Sequence, residues 1–143
     1  MVTLIGMGSG KWEALSAQAQ AAVGGAGLVF GAKRLLAGLP ADCTARQFAL
    51  YQPADILEML AQNPGQDAAV LYSGDTGFYS GASGLLTPLR ALGIPARVYP
   101  GVSSVQLLSA ALGRPWQDWK LISAHGCACD PVAECMTNKA VFF

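Results

Sequence analysis

Apolar residues in this chain come in short runs that alternate with stretches of helical period, and the alternation begins at the first residues. Residues 2–7 form an apolar run with β-branched positions, which predicts a strand, whereas residues 16–23 are rich in Ala and Gln and predict a helix. A short strand follows at 28–30, then a helix at 33–39 closed by Gly38 and Pro40, then a weaker strand at 46–50. Pro53 stands where a first helical turn begins, Ile56, Leu57, Met59 and Leu60 supply an apolar face, and Asn63-Pro64-Gly65 stops it. Ala68–Tyr72 is continuously apolar, as a strand covered on both faces must be. A helix at 84–92, a strand at 97–99, an amphipathic helix at 103–112 ending before Gly113, and a strand at 120–123 complete the series.

Strands separated by helices predict an α/β fold: a parallel sheet with right-handed crossovers and helices on both faces, a three-layer sandwich. Residues 124–136 break the rhythm with Gly126, a Cys cluster and Pro131, and residues 139–143 begin what reads as a new buried strand. The expected organisation is therefore an α/β domain over 1–123, a linker over 124–136 and the start of a second domain over 137–143. On this reading the chain is the front portion of a longer protein.

Charge narrows the partners. Nine basic residues balance nine acidic ones, so there is no field to attract nucleic acid. Although 52% of residues are hydrophobic, every apolar stretch is interrupted well short of the ~20 residues that a membrane-crossing helix needs. No basic segment leads into a long apolar one at the start, so a secretory signal is not supported and a cytoplasmic location is expected. The four cysteines, Cys43, Cys127, Cys129 and Cys135, are too few and too clustered for a disulfide framework and read as reduced thiols.

Two strand ends carry the chemistry. Ser73-Gly-Asp-Thr-Gly-Phe-Tyr79 follows one strand and Pro100-Gly-Val-Ser-Ser104 another, each exposing backbone groups where open α/β sheets bind ligands. Their recurrence at one edge predicts a shared crevice between neighbouring strands. Gly6-Met-Gly-Ser-Gly10 after the first strand invites a dinucleotide reading, but Lys11 holds the place of the third glycine and no acidic residue ends the second strand. His125, Cys127, Cys129 and Cys135 resemble zinc ligands in type, yet one residue between Cys127 and Cys129 is too short a spacing, and no metal is expected. Ser73, Ser103, Ser104 and Asp75 lack the nucleophile elbow of a hydrolase.

Ile5-Gly-Met-Gly-Ser-Gly10, Gly31-Ala-Lys-Arg-Leu-Leu36, Ser73-Gly-Asp-Thr-Gly-Phe-Tyr79, Pro100-Gly-Val-Ser-Ser-Val-Gln-Leu107 and Gly113-Arg-Pro-Trp-Gln-Asp118 with His125-Gly126 occur in the order that the tetrapyrrole methylase family uses. The chain resembles that family from residue 2 to about 126, and within it the branch acting on precorrin-6Y in cobalamin synthesis. The resemblance implies two α/β domains with S-adenosylmethionine in the cleft between them, often in a homodimer. It places Gly74, Asp75 and Phe78 along the methyl donor with Ser103 and Ser104, and borders the cleft with Gly6, Gly8 and Ser9. Lys33 and Arg34, from the Gly-x-Lys-Arg block, are the candidates for the carboxylates of the tetrapyrrole substrate; Arg114 and His125 are further candidates.

Small residues suit such a reaction. Methyl transfer from a sulfonium to a ring carbon needs alignment of donor and acceptor more than acid–base chemistry, and Asp75 is suited to accept hydrogen bonds from the donor's hydroxyl or ammonium groups. Thr76 stands where the family usually has proline, which predicts a less rigid turn. With most of the second domain absent, the 143-residue chain alone is expected to be inactive. Whether the substrate holds cobalt, and whether a decarboxylating partner is fused or separate, stays open at this level. The competing readings are a methylase of another substrate in the superfamily and a non-catalytic nucleotide-binding or assembly domain.

Overall fold

β1 (Val2–Gly6) is buried at every position, as its unbroken apolar run requires of a strand with a layer on each face. A computed structural model of the protein describes residues 1–123, 128–136 and 139–142. After β1 and a single 3-10 turn at Trp12–Ala14 come α1 (Ala17–Gly24), β2 (Leu28–Gly31), α2 (Lys33–Leu36), β3 (Arg46–Phe48), α3 (Pro53–Gln62), β4 (Ala68–Tyr72), α4 (Ala82–Ala91) and β5 (Ala96–Tyr99). The strands form one five-stranded sheet in the order β3-β2-β4-β1-β5, with every pair parallel. The α/β three-layer architecture expected from the alternation is the one the chain adopts.

Strand periodicity explains the layers. Leu4, Phe30 and Val70 point to the side covered by Ile56 of α3 and by Leu85 and Leu89 of α4, all at most 1% exposed. Their neighbours Ile5, Val29 and Leu71 point the other way, against Ala19 and Val23 of α1 and Leu35 of α2. Each fully buried aliphatic or aromatic side chain contributes about 1.5–3 kcal/mol relative to exposure, so the sheet is held by both faces rather than by its edges. At the β3 edge, Phe48 stacks on Phe30 with ring centroids 5.4 Å apart, and Arg46 lies over the Phe48 ring.

Local signals set most element ends. Ser16 caps α1 by accepting the Ala19 N–H at 3.2 Å, and Pro53 opens α3 at a position where no intrahelical donor is lost. The second helix is shorter than its expected 33–39 span: it ends at Leu36 and continues as a turn, because Gly38 must pass close to the Gly10 carbonyl.

The chain divides into two compact units, Met1–Ser103 and Ser104–Phe143. The second contains α5 (Ser104–Leu112), β6 (Lys120–Leu121), α6 (Pro131–Cys135) and β7 (Val141–Phe142). β6, read from the sequence as the last strand of the main alternation, instead pairs in parallel with β7 in a separate two-stranded sheet. α6 falls inside the stretch expected to be linker; Asp130 caps it by accepting the Val132 and Ala133 N–H groups, with Pro131 at its first turn. Lys120 forms an ion pair with Glu134. No helix among the described residues is long and apolar enough to cross a membrane.

Candidate functional site

The connections leaving β1 and β4 run to opposite sides of the sheet, one toward β2 and the other toward β5, so the strand order reverses between these two neighbours. The carboxyl ends of strands at such a reversal are where α/β sheets hold ligands. The sequence reading placed the strands bearing Asp75 and Ser103 side by side. They are not: β1 lies between β4 and β5. The crossover after β4 passes over β1 and adds β5 at its far side.

The two loops nevertheless meet, and glycines are the reason. A Cβ on Gly6, the last residue of β1, would lie 2.5 Å from the Gly101 nitrogen and 2.7 Å from the Gly74 carbonyl oxygen. A Cβ on Gly101 would lie 2.6 Å from the Gly6 oxygen and collide with the Gly74 oxygen as well. Without side chains at Gly6 and Gly101, the loops after β4 and β5 close over the end of the strand between them. Gly8 and Gly74 then exchange backbone hydrogen bonds of 3.0 and 3.1 Å, which stitches the β1 loop to the β4 loop.

Asp75 fixes the junction. Its Oδ1 accepts the Gly77 N–H at 2.8 Å and its Oδ2 accepts the Gly101 N–H at 3.1 Å, so one carboxylate shapes its own turn and holds the neighbouring loop. A carboxylate offers roughly four acceptor sites, which leaves capacity for a ligand after both bonds are made. Thr76, at the position where proline was expected, donates its hydroxyl to the Tyr99 carbonyl at 3.4 Å, a long bond that adds a second tie between the same loops. Tyr72 ends β4 beneath this junction, and burial pushes its hydroxyl up to about 12, so the group is neutral across the physiological range.

The remaining expected residues fall as follows. Ser9 is exposed beside Gly8 and Gly10, both of which have the positive φ that glycine tolerates. Gly74 also has positive φ, at 65°, and a Cβ there would meet nothing within 4 Å, so the chain leaves open space above it. Phe78 is half-buried against Tyr79, their ring centroids 4.8 Å apart. Ser103 is only 4% exposed and closes the first unit, whereas Ser104 opens α5 in the second. Lys33 and Arg34 are exposed at the start of α2, immediately after the carboxyl end of β2, and neither takes part in an ion pair among the described residues. Sequence reasoning missed Gly101 as a steric requirement, because a glycine in a turn does not reveal what approaches it. It also missed the bond from Gly101 to Asp75, which spans 26 positions of sequence.

His125 and Cys127 lie outside the described residues. Cys129 and Cys135 carry free thiols, and among the described residues no group of His, Cys, Asp and Glu is arranged to hold a metal. A cavity of about 360 Å³ opens beside α1, lined by Met1, Thr3, Gln18, Asp67, Arg97 and Tyr99 among others, and so runs from the amino end of β1 to the last residue of β5.

The family model of the tetrapyrrole (corrin/porphyrin) methylases matches residues 1–140, and the chain belongs to that family. It is 35% identical over 128 residues to the cobalt-precorrin-7 C(5)-methyltransferase of Salmonella typhimurium, covering 88% of this chain and 62% of that protein. A probable cobalt-precorrin-7 C(5)-methyltransferase of Methanocaldococcus jannaschii is 31% identical over 132 residues, covering 88% of the chain and 61% of the relative. Among solved structures, the methyltransferase CobJ superposes with a TM-score of 0.72 at 26% identity, covering 85% of this chain and 54% of that one. The chain thus spans somewhat under two thirds of the length of the curated relatives it matches.

Proposed function

We propose that the protein carrying this chain is an S-adenosylmethionine-dependent carbon methyltransferase of cobalamin biosynthesis, acting on a precorrin or its cobalt form at the C-5 position. The single observation that carries the reading is the junction of Gly6, Gly74 and Gly101 clamped by Asp75 at the carboxyl ends of β1, β4 and β5. Family membership and relatives named for C(5) methylation support it.

The donor supplies a methyl group on a sulfonium. In the transfer a carbon–sulfur bond breaks as a carbon–carbon bond forms, and the sulfonium becomes a neutral thioether. The chain's residues fit that donor in chemistry: open space over Gly74, the spare acceptor capacity of Asp75, and the half-buried ring of Phe78 form one side. Gly8, Ser9 and Ser103 border it, with Ser104 assigned by family resemblance. These groups bind and orient, and orientation is the main contribution such a displacement asks of a protein. Lys33 and Arg34 are assigned to carboxylates of the tetrapyrrole, since two adjacent exposed cations just past the carboxyl end of β2, in no ion pair among the described residues, suit a polyanionic ring.

The organisation that goes with this function is an α/β domain over 1–123, a linker over 124–136 and the start of a second domain from 137, acting in the cytoplasm as a homodimer. Residues 1–143 span under two thirds of the relatives and are not expected to turn over substrate alone. Calorimetry with S-adenosylhomocysteine on the protein that carries this chain tests the reading: saturable one-to-one binding supports it, and binding of a dinucleotide in its place contradicts it.

A further inference from the structure

Tyr79 is the one non-glycine residue with positive φ among the described residues, at 47°. A bulky side chain is costly in that left-handed region, where Gly or Asn would be tolerated. Burial of the ring does not offset the cost, because Tyr79 is 63% exposed. The segment around it is held at both ends. Asp75 fixes the turn through Gly77, and the Ser80 hydroxyl accepts the Ala82 N–H at 3.2 Å where α4 begins. Between these ties, Phe78 packs edge-on against Tyr79 with an interplanar angle of 66°, which fixes the direction of the exposed ring. A strained backbone conformation of this kind persists only where its surroundings over-determine it, and such outliers gather at ligand clamps.

We propose that Tyr79 is a positioning residue whose exposed ring packs against the conjugated face of the acceptor macrocycle and sets its tilt relative to the donor. This rests on the methyltransferase reading above. The macrocycle is favoured over the donor's adenine because Tyr79 lies five residues beyond Gly74 in the loop and its ring is open to solvent, where a broad flat ligand reaches it.

The test compares Tyr79→Gly, Tyr79→Asn and Tyr79→Phe in the protein that carries this chain. S-adenosylhomocysteine binding is followed by calorimetry and binding of cobyrinic acid, a stable carboxylated corrin, by its visible absorbance. Removing the ring relieves the backbone, so the Gly and Asn variants melt at or above the wild-type temperature and bind S-adenosylhomocysteine as the wild type does. Their affinity for cobyrinic acid falls about tenfold, the scale of one lost aromatic contact. The Phe variant restores it. Unchanged corrin affinity in the Gly and Asn variants overturns the inference, as does an equal loss of S-adenosylhomocysteine affinity, which would assign the ring to the donor. A wild-type protein that binds neither ligand overturns the methyltransferase reading instead.

Discussion

The Asp75 carboxylate accepts the Gly101 N–H at 3.1 Å across the end of a strand to which neither residue belongs. Because β1 separates their strands, the contact exists only where Gly6 lets both loops fold inward. This one bond turns two distant turns into a single surface, and the sharpest tests address it.

Replacing Asp75 by alanine leaves the Gly77 and Gly101 N–H groups without their protein acceptor. A stability loss of about 1–2 kcal/mol is expected, at the lower end of the range for hydrogen bonds to charged groups because water reaches the loop. Asp75→Asn keeps one acceptor oxygen and falls between alanine and wild type. Urea unfolding measures both, and S-adenosylhomocysteine affinity falls in the same order.

Gly101→Ala places a methyl group against the Gly74 and Gly6 carbonyls, backbone that has no rotamer to yield. The expected cost is about 1–3 kcal/mol by the scale of overpacking, with donor binding reduced. Gly24→Ala is the matched control: its Cβ meets nothing within 4 Å and its φ is not positive. It stabilises by up to about 1 kcal/mol, because alanine is the better helix residue.

Much of this was legible in the chain. The unbroken apolar run Ala68–Tyr72 and the buried residues of β1 follow directly from hydrophobic period, and Ser16 and Pro53 mark helix starts by local chemistry. α6 was equally readable from Asp130 and Pro131, but Gly126, the cysteines and Pro131 break the alternation and the stretch read as a linker. Strand order was not readable. Periodicity reports which face a residue occupies and carries no information on which strand becomes its neighbour, so Asp75 and Ser103 were put on adjacent strands when β1 divides them. The Tyr79 backbone was hidden for a related reason: nothing local in Gly-Phe-Tyr-Ser demands a left-handed tyrosine.

Tyr72 gives a pH signature. Burial raises its hydroxyl from the ordinary 10 to about 12, so the folded state favours the neutral form more than the unfolded chain does. Its contribution to stability is complete below pH 10 and is lost as pH rises through 12. Tyr72→Phe is expected to flatten the fall in stability over that window in denaturant titrations, and to remove one high-pH step from the absorbance titration of tyrosinate.

Lys33→Glu and Arg34→Glu separate substrate from donor. Each is expected to weaken carboxylated corrin binding by about two- to fivefold, the scale of an exposed ion pair, and the double variant by more. Added salt narrows the difference from wild type. S-adenosylhomocysteine affinity is unchanged, because neither cation touches the glycine junction.

Backbone amide resonances of the isotope-labelled protein, followed during titration with S-adenosylhomocysteine, report most directly whether the glycine junction holds the donor. Saturable shifts concentrated at Gly8, Ser9, Gly74 to Phe78 and Gly101 to Ser103 are expected. Shifts confined to the opposite end of the sheet, around Thr3 and Arg97, with those glycine amides unmoved, would contradict it.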